Sequence, residues 1–185
     1  MPLSDKTLIL IDIQRGFDDP VWGQRNNPDA EANALGLLAA VRAAGGRVLH
    51  VRHLSREAGS PLAGPGAAFK PGFEPDPGEA VYEKSVNSAF IGTTLEADLR
   101  AAGAEALIIC GLTTPHCVST TTRMAANLGF PVELAHDACA AFTRNADVGF
   151  DGGPAPSAEE IHRAAVYHLH GEFAQARRTA DLIAG

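Results

Sequence analysis

The stretch "IICGLTTPHCVSTTTR" (residues 108–123) joins three kinds of chain in one short span. An apolar run ends at Cys110, a Gly-Leu-Thr-Thr-Pro turn follows, and small hydroxylated residues open a segment that reads as a helix stopping at Gly129. An apolar run that feeds a turn and then a helix is expected of a buried strand in a parallel sheet. Thr114 is placed to cap the helix and Pro115 suits its first position, which puts Cys117 in the first turn. There the free backbone N–H groups and the positive helix end favour a thiolate and lower the cysteine pKa. The same amides can stabilise an oxyanion. The alternative is a cysteine that packs as a small apolar side chain, and this stretch alone leaves both readings open.

The pattern repeats on both sides. "KTLILIDI", "RVLHVRH", "EAVYEKS", "EALIIC" and "PVELAHDA" read as strands. Between and after them, "PDAEANALGLLAAVRAAGG", "TTLEADLRAAGA", "PHCVSTTTRMAANLGF" and "SAEEIHRAAVYHLHGEF" read as helices, while "AQARRTADLIAG" fits neither type securely. Alternating strands and helices predict an α/β fold with a parallel sheet covered on both faces. In such sheets, sites form outside the carboxyl ends of the strands. Asp12, Lys84 and Cys117 all stand at or just beyond predicted strand ends. Residues 55–79 hold five Gly and five Pro, so they read as a long irregular loop of functional or oligomer-contact type.

A chain of 185 residues predicts one domain over residues 1–185, large enough for a sizeable core. Its net charge of -7, without a basic cluster, argues against nucleic acid and anionic membrane as partners. No apolar run is long enough to span a bilayer, and the first residues lack signal-peptide character. Three cysteines are too few for a disulfide framework, so a cytoplasmic protein with reduced thiols is expected.

An acid straight after "LILI" is costly unless paired or protonated, and beside a thiol a desolvated Asp12 makes a general base. Its plainer reading is a solvated or capping residue in a turn. Lys84 matters only if its strand end delivers it to the same crevice, where its charge offsets Asp12 and favours a thiolate. Lys6 and Lys70 read as surface lysines. "LILIDIQRGF", "EKSVNSAF" and "ICGLTTPHCVSTTTRMAANLGF", with "HDACAAF" behind them, together resemble the isochorismatase-like cysteine hydrolase superfamily. The resemblance implies a three-layer α/β/α fold with a six-stranded parallel sheet, and a homo-oligomer. It implies an Asp12–Lys84–Cys117 triad that hydrolyses a C–N bond of a small amide, lactam or ureido substrate through an acyl-cysteine. It also implies a cis peptide at Leu112–Thr113, directing the amide N–H groups of Thr113 and Cys117 at the oxyanion.

Some features separate this chain from particular branches. Nicotinamidases of the superfamily bind a metal through an Asp and two His after the second strand. Here His50 and His53 stand without that Asp, so they read as structural and neither a metal nor another cofactor is expected. Members that cleave a vinyl ether typically lack the cysteine. The segment "FDDPVWGQRNNP" is similar to a streptothricin-hydrolase-like branch. Phe17, Trp22 and Phe90 are candidate pocket walls and Asn87 a candidate amide contact. Trp22 can equally pack beneath its loop, and Asn87 can serve a turn. His116 reads equally as a pocket edge and as a surface residue, and His136 as a strand-end residue without a partner. The rival to an enzyme is a member of the same fold that binds a small molecule or partner without turnover.

Overall fold

The computed structural model describes residues 1–185. Its strands are β1 (Lys6–Ile11), β2 (Arg47–His53), β3 (Ala80–Lys84), β4 (Ala106–Leu112), β5 (Val132–Ala140) and β6 (Gln175–Arg177). Its helices are α1 (Ala30–Ala43), α2 (Leu95–Ala101), α3 (Ser119–Asn127), α4 (Ala158–Leu169) and α5 (Thr179–Ala184). The six strands form one sheet in the order β3-β2-β1-β4-β5-β6, and every pairing is parallel. Helices α1 and α5 pack together over one face, while α3 and α4 pack over the other. Arg100 of α2 stacks on Phe130 and donates to the Leu128 carbonyl, which ties α2 to the end of α3. This is the three-layer α/β/α arrangement, with right-handed crossovers dictating which helix covers which face. No helix is long and apolar enough to cross a membrane.

Position in the sheet explains each strand's composition. β1 and β4 are central, meet helices on both faces, and are buried along their whole length. Full burial of each aliphatic side chain from Leu8 to Ile11 contributes about 1.5–3 kcal/mol. β3 lies at an edge and alternates, with Tyr82 and Lys84 inward and Val81 and Glu83 outward. Residues two apart share one side of a strand, so the parity that buries Tyr82 also buries Lys84. The chain moves one way from β1 to β2 and β3, then returns to place β4 on the other flank of β1. A crevice opens at such a reversal, outside the carboxyl ends of β1 and β4. Gly111 permits the close approach there: with φ at 128°, an added Cβ would lie 2.0 Å from the Ile11 carbonyl oxygen.

Several expectations need correction. The unassigned segment "AQARRTADLIAG" forms the short edge strand β6 and α5. β5 runs on to Ala140, so His136 sits inside it, its ring centroid 6.4 Å from that of His162. Lys6 and Lys70 are buried rather than on the surface. Lys6 pairs with Glu133 at 2.5 Å, and Lys70 reaches Asp18 at 2.5 Å and Glu31 at 2.8 Å. A partner carboxylate removes much of the cost of burying each ammonium. Lys70 and the fully covered Phe73 also hold down the long loop. That loop begins beside the crevice, and its carbonyl at Pro61 lies against Gly16, where a Cβ would come within 2.2 Å. A small second core of Phe17, Ala30, Leu62, Leu112, Ala140 and Phe142, flanked by Trp22, seals that end of the sheet.

Candidate active site

The three strand ends named above deliver their side chains to one point. Asp12 follows β1 directly with φ at 51°, a left-handed turn that leaves its N–H bonded to the Val51 carbonyl at 2.9 Å. Lys84 is the last residue of β3. Cys117 lies in a wide π-helical turn, Thr114–Val118, that precedes α3. The Lys84 Nζ is 2.6 Å from Asp12 Oδ2 and 3.2 Å from Cys117 Sγ. The Asp12 and Lys84 side chains are both completely covered. Asp12 Oδ1 is buried without any hydrogen-bond partner. Ligand atoms of Asp12, His53 and Cys117 lie within 4.8 Å of one another, so the carboxylate and the thiol share one small space.

The electrostatics differ from the sequence expectation. Burial pushes the Cys117 thiol up to about 12, with the Asp12 charge adding to the rise and Lys84 only partly opposing it. A depressed thiol pKa, expected from a helix start, requires a solvated or strongly cationic setting that this turn does not provide. Burial likewise raises the Asp12 carboxyl above its ordinary value, with Lys84 pulling against it. The resting thiol is therefore protonated, and Lys84 holds the Asp12 carboxyl in place beside it. The cap also differs from expectation. Thr114 lies inside the turn, and its hydroxyl is 2.8 Å from His162 Nδ1 instead of capping α3.

The Leu112–Thr113 peptide bond is cis. Thr113 is buried, its carbonyl accepts from the N–H groups of His116 and Val118, and its own N–H donates to no protein group. Thr113 and Cys117 both border a cavity of about 490 Å³. Phe17, Trp22 and Asn87 line it as well. Trp22 both packs on Phe17, with ring centroids 5.0 Å apart, and faces the cavity. Its indole N–H is spent on the Gly16 carbonyl at 2.8 Å, so it presents ring surface. Asn87 is exposed, with Oδ1 3.8 Å from Cys117 Sγ. His116 is exposed and also lines the cavity.

Phe90 is elsewhere, which corrects its assignment as a pocket wall. It is buried in the main core and stacks on Phe130 at 6.3 Å, because the turn after β3 directs it inward. His53, read from the sequence as a structural histidine, is a further neighbour of the triad. It faces Lys84 across the β2–β3 ladder, with Nδ1 3.3 Å from Nζ. The available signal was strand register: two residues that both close parallel neighbouring strands end side by side. The long loop, read from the sequence as functional or oligomer-contact, supplies one side of the cavity through Ser55, Arg56, Glu57, Ser60 and Leu62, residues not singled out beforehand. Its irregular composition carries no periodicity from which a path can be read. As for a metal, the only donor cluster is Asp12, His53 and Cys117. All three donors face the Lys84 ammonium, so a cation placed among them would meet a buried positive charge.

Residues 6–181 match the family model of the isochorismatase domain. An uncharacterised isochorismatase family protein of Bacillus subtilis is 43% identical over 183 residues, spanning 96% of this chain and 94% of that one. The crystal structure of an isochorismatase-family protein of Chromobacterium violaceum superposes with a TM-score of 0.90 at 48% identity, covering 98% of this chain and 93% of the other. A streptothricin hydrolase of Streptomyces noursei is 36% identical over 146 residues, which is 74% of this chain and 50% of that enzyme.

Proposed function

This chain belongs to the isochorismatase family of hydrolases, and on that footing we propose that it cleaves a C–N bond of a small amide, lactam or ureido compound through an acyl-cysteine intermediate. The carrying observation is the sharing of one ammonium: Lys84 Nζ is 2.6 Å from Asp12 and 3.2 Å from Cys117, and the second Asp12 oxygen is free. Asp12 Oδ1 takes the thiol proton as Sγ attacks the carbonyl carbon. A buried thiol held near 12 does not ionise alone at neutral pH, so it needs a base this close. Lys84 stabilises the sulfur's charge as it develops. The N–H groups of Thr113 and Cys117 receive the oxyanion. The proton on Asp12 passes to the departing nitrogen, the C–N bond breaks, and an amine or ammonia leaves. Water then adds to the thioester, giving its proton to Asp12, and collapse releases the acid and restores the thiol.

Substrate contacts fall to Phe17 and Trp22 as flat apolar walls and to Asn87 as a polar contact. The similarity to a streptothricin hydrolase supports an amide-type substrate. No cofactor enters these steps, and we take the assembly to be a homo-oligomer, which sedimentation tests. The deciding experiment measures ammonia or amine release over an amide panel for wild type, Cys117→Ser, Cys117→Ala and Asp12→Asn, with intact-mass detection of an acyl adduct. The reading requires turnover to vanish in the cysteine variants and fall severely in Asp12→Asn. Undiminished turnover in both cysteine variants removes it. Alkylation of Cys117 ahead of the fully buried Cys110 and Cys139, and slowed by Asp12→Asn, separates an enzyme from a fold that only binds.

A further inference from the structure

We propose that His53 is a positioning residue, whose neutral imidazole accepts the third N–H of Lys84 and so fixes the ammonium between base and nucleophile. An ammonium has three donors and no acceptor. Here three acceptors surround it: Asp12 Oδ2 at 2.6 Å, Cys117 Sγ at 3.2 Å and His53 Nδ1 at 3.3 Å. Lys84 is fully covered, so no bulk water substitutes for a missing acceptor. A donor left unpaired at such a place keeps its full desolvation penalty, and the flexible lysine stem relieves it by turning away.

The chain invests in placing this histidine. β2 and β3 run in parallel register with His53 opposite Lys84. Gln14, two residues beyond Asp12 and itself fully buried, clamps the His53 backbone from both sides. Its Oε1 accepts the His53 N–H at 2.7 Å, and its Nε2 donates to the His53 carbonyl at 2.9 Å and to Ala67 at 3.0 Å. One buried amide thus ties the segment after β1, the end of β2 and the long loop into a single frame around the imidazole. Acceptance at Nδ1 leaves the ring proton on Nε2. The role also demands neutrality, since an imidazolium would set a second cation against Lys84. Burial and the Lys84 charge lower the His53 pKa to about 4. The other ionisable groups around this cavity are Asp12, Cys117, His116, Arg56 and Glu57.

The inference rests on Cys117 as nucleophile, yet its test needs no substrate. The rate of Cys117 alkylation by iodoacetamide is followed by peptide mass from pH 6 to 10, with thermal melting as the control for folding. His53→Ala removes the acceptor, and His53→Asn restores one, because Oδ1 of asparagine falls near the place of Nδ1. Loss of Lys84 from its position raises the thiol further, so alkylation at neutral pH in His53→Ala should fall about tenfold, equivalent to one pKa unit. His53→Asn should recover most of that rate. An unchanged rate and profile in His53→Ala overturns the proposal, and so does equal loss in both variants. Failure of the hydrolase reading is seen separately, as turnover that survives Cys117→Ser.

Discussion

Replacing Lys84 by Met tests the electrostatic centre of the site most directly. Methionine fills much of the lysine volume while leaving Asp12, whose side chain is wholly covered, without its only counter-charge. Breaking a buried ion pair from one side costs about 3–5 kcal/mol. With a urea slope of about 2–3 kcal/mol per molar for a chain of this size, the midpoint should fall by about 1–2.5 M at neutral pH with the slope unchanged. The pH dependence gives the sharper check. Burial already raises the Asp12 carboxyl above 3.8 despite the opposing ammonium. A raised acid stabilises the fold most below its unfolded pKa and gives that contribution up as pH climbs through its folded value. Deleting Lys84 raises it further. The variant's deficit should therefore be small at strongly acid pH, widen as pH climbs past the raised value of the wild-type carboxyl, and level off once Asp12 of the variant is forced to ionise. The double variant Lys84→Met with Asp12→Asn should recover most of the stability and none of the activity. A neutral-pH deficit under about 1 kcal/mol, or one that widens toward acid pH, refutes this account of the pair.

Three further expectations concern the cavity. Phe17→Ala and Phe90→Ala should each destabilise by about 3–5 kcal/mol, measured by urea unfolding, because both rings are buried. Only Phe17→Ala should also raise KM, since Phe90 packs on Phe130 away from the cavity; a comparable KM change in Phe90→Ala would restore it as a wall. Gly16→Ala should push the Pro61 carbonyl away, costing about 1–3 kcal/mol and raising KM more than it lowers kcat. An unaltered KM there would detach the long loop from substrate binding.

The sequence alone carried the layered α/β fold, because continuous apolar runs alternating with helical segments are a local pattern set by burial of parallel strands on both faces. It also marked Asp12, Lys84 and Cys117 as candidates, since each stands at or just beyond the end of a strand and such ends point to one edge of the sheet. Strand β6 stayed hidden because three edge residues bury too little to leave a pattern. The thiol's acidity, the burial of Lys6 and Lys70, the place of Phe90 and the contact between His53 and Lys84 were decided only by the tertiary structure. Each depends on which distant groups share a space and how far water is excluded from it. Charge and pKa respond to that three-dimensional surrounding, whereas neighbours along the chain register only the local pattern of burial.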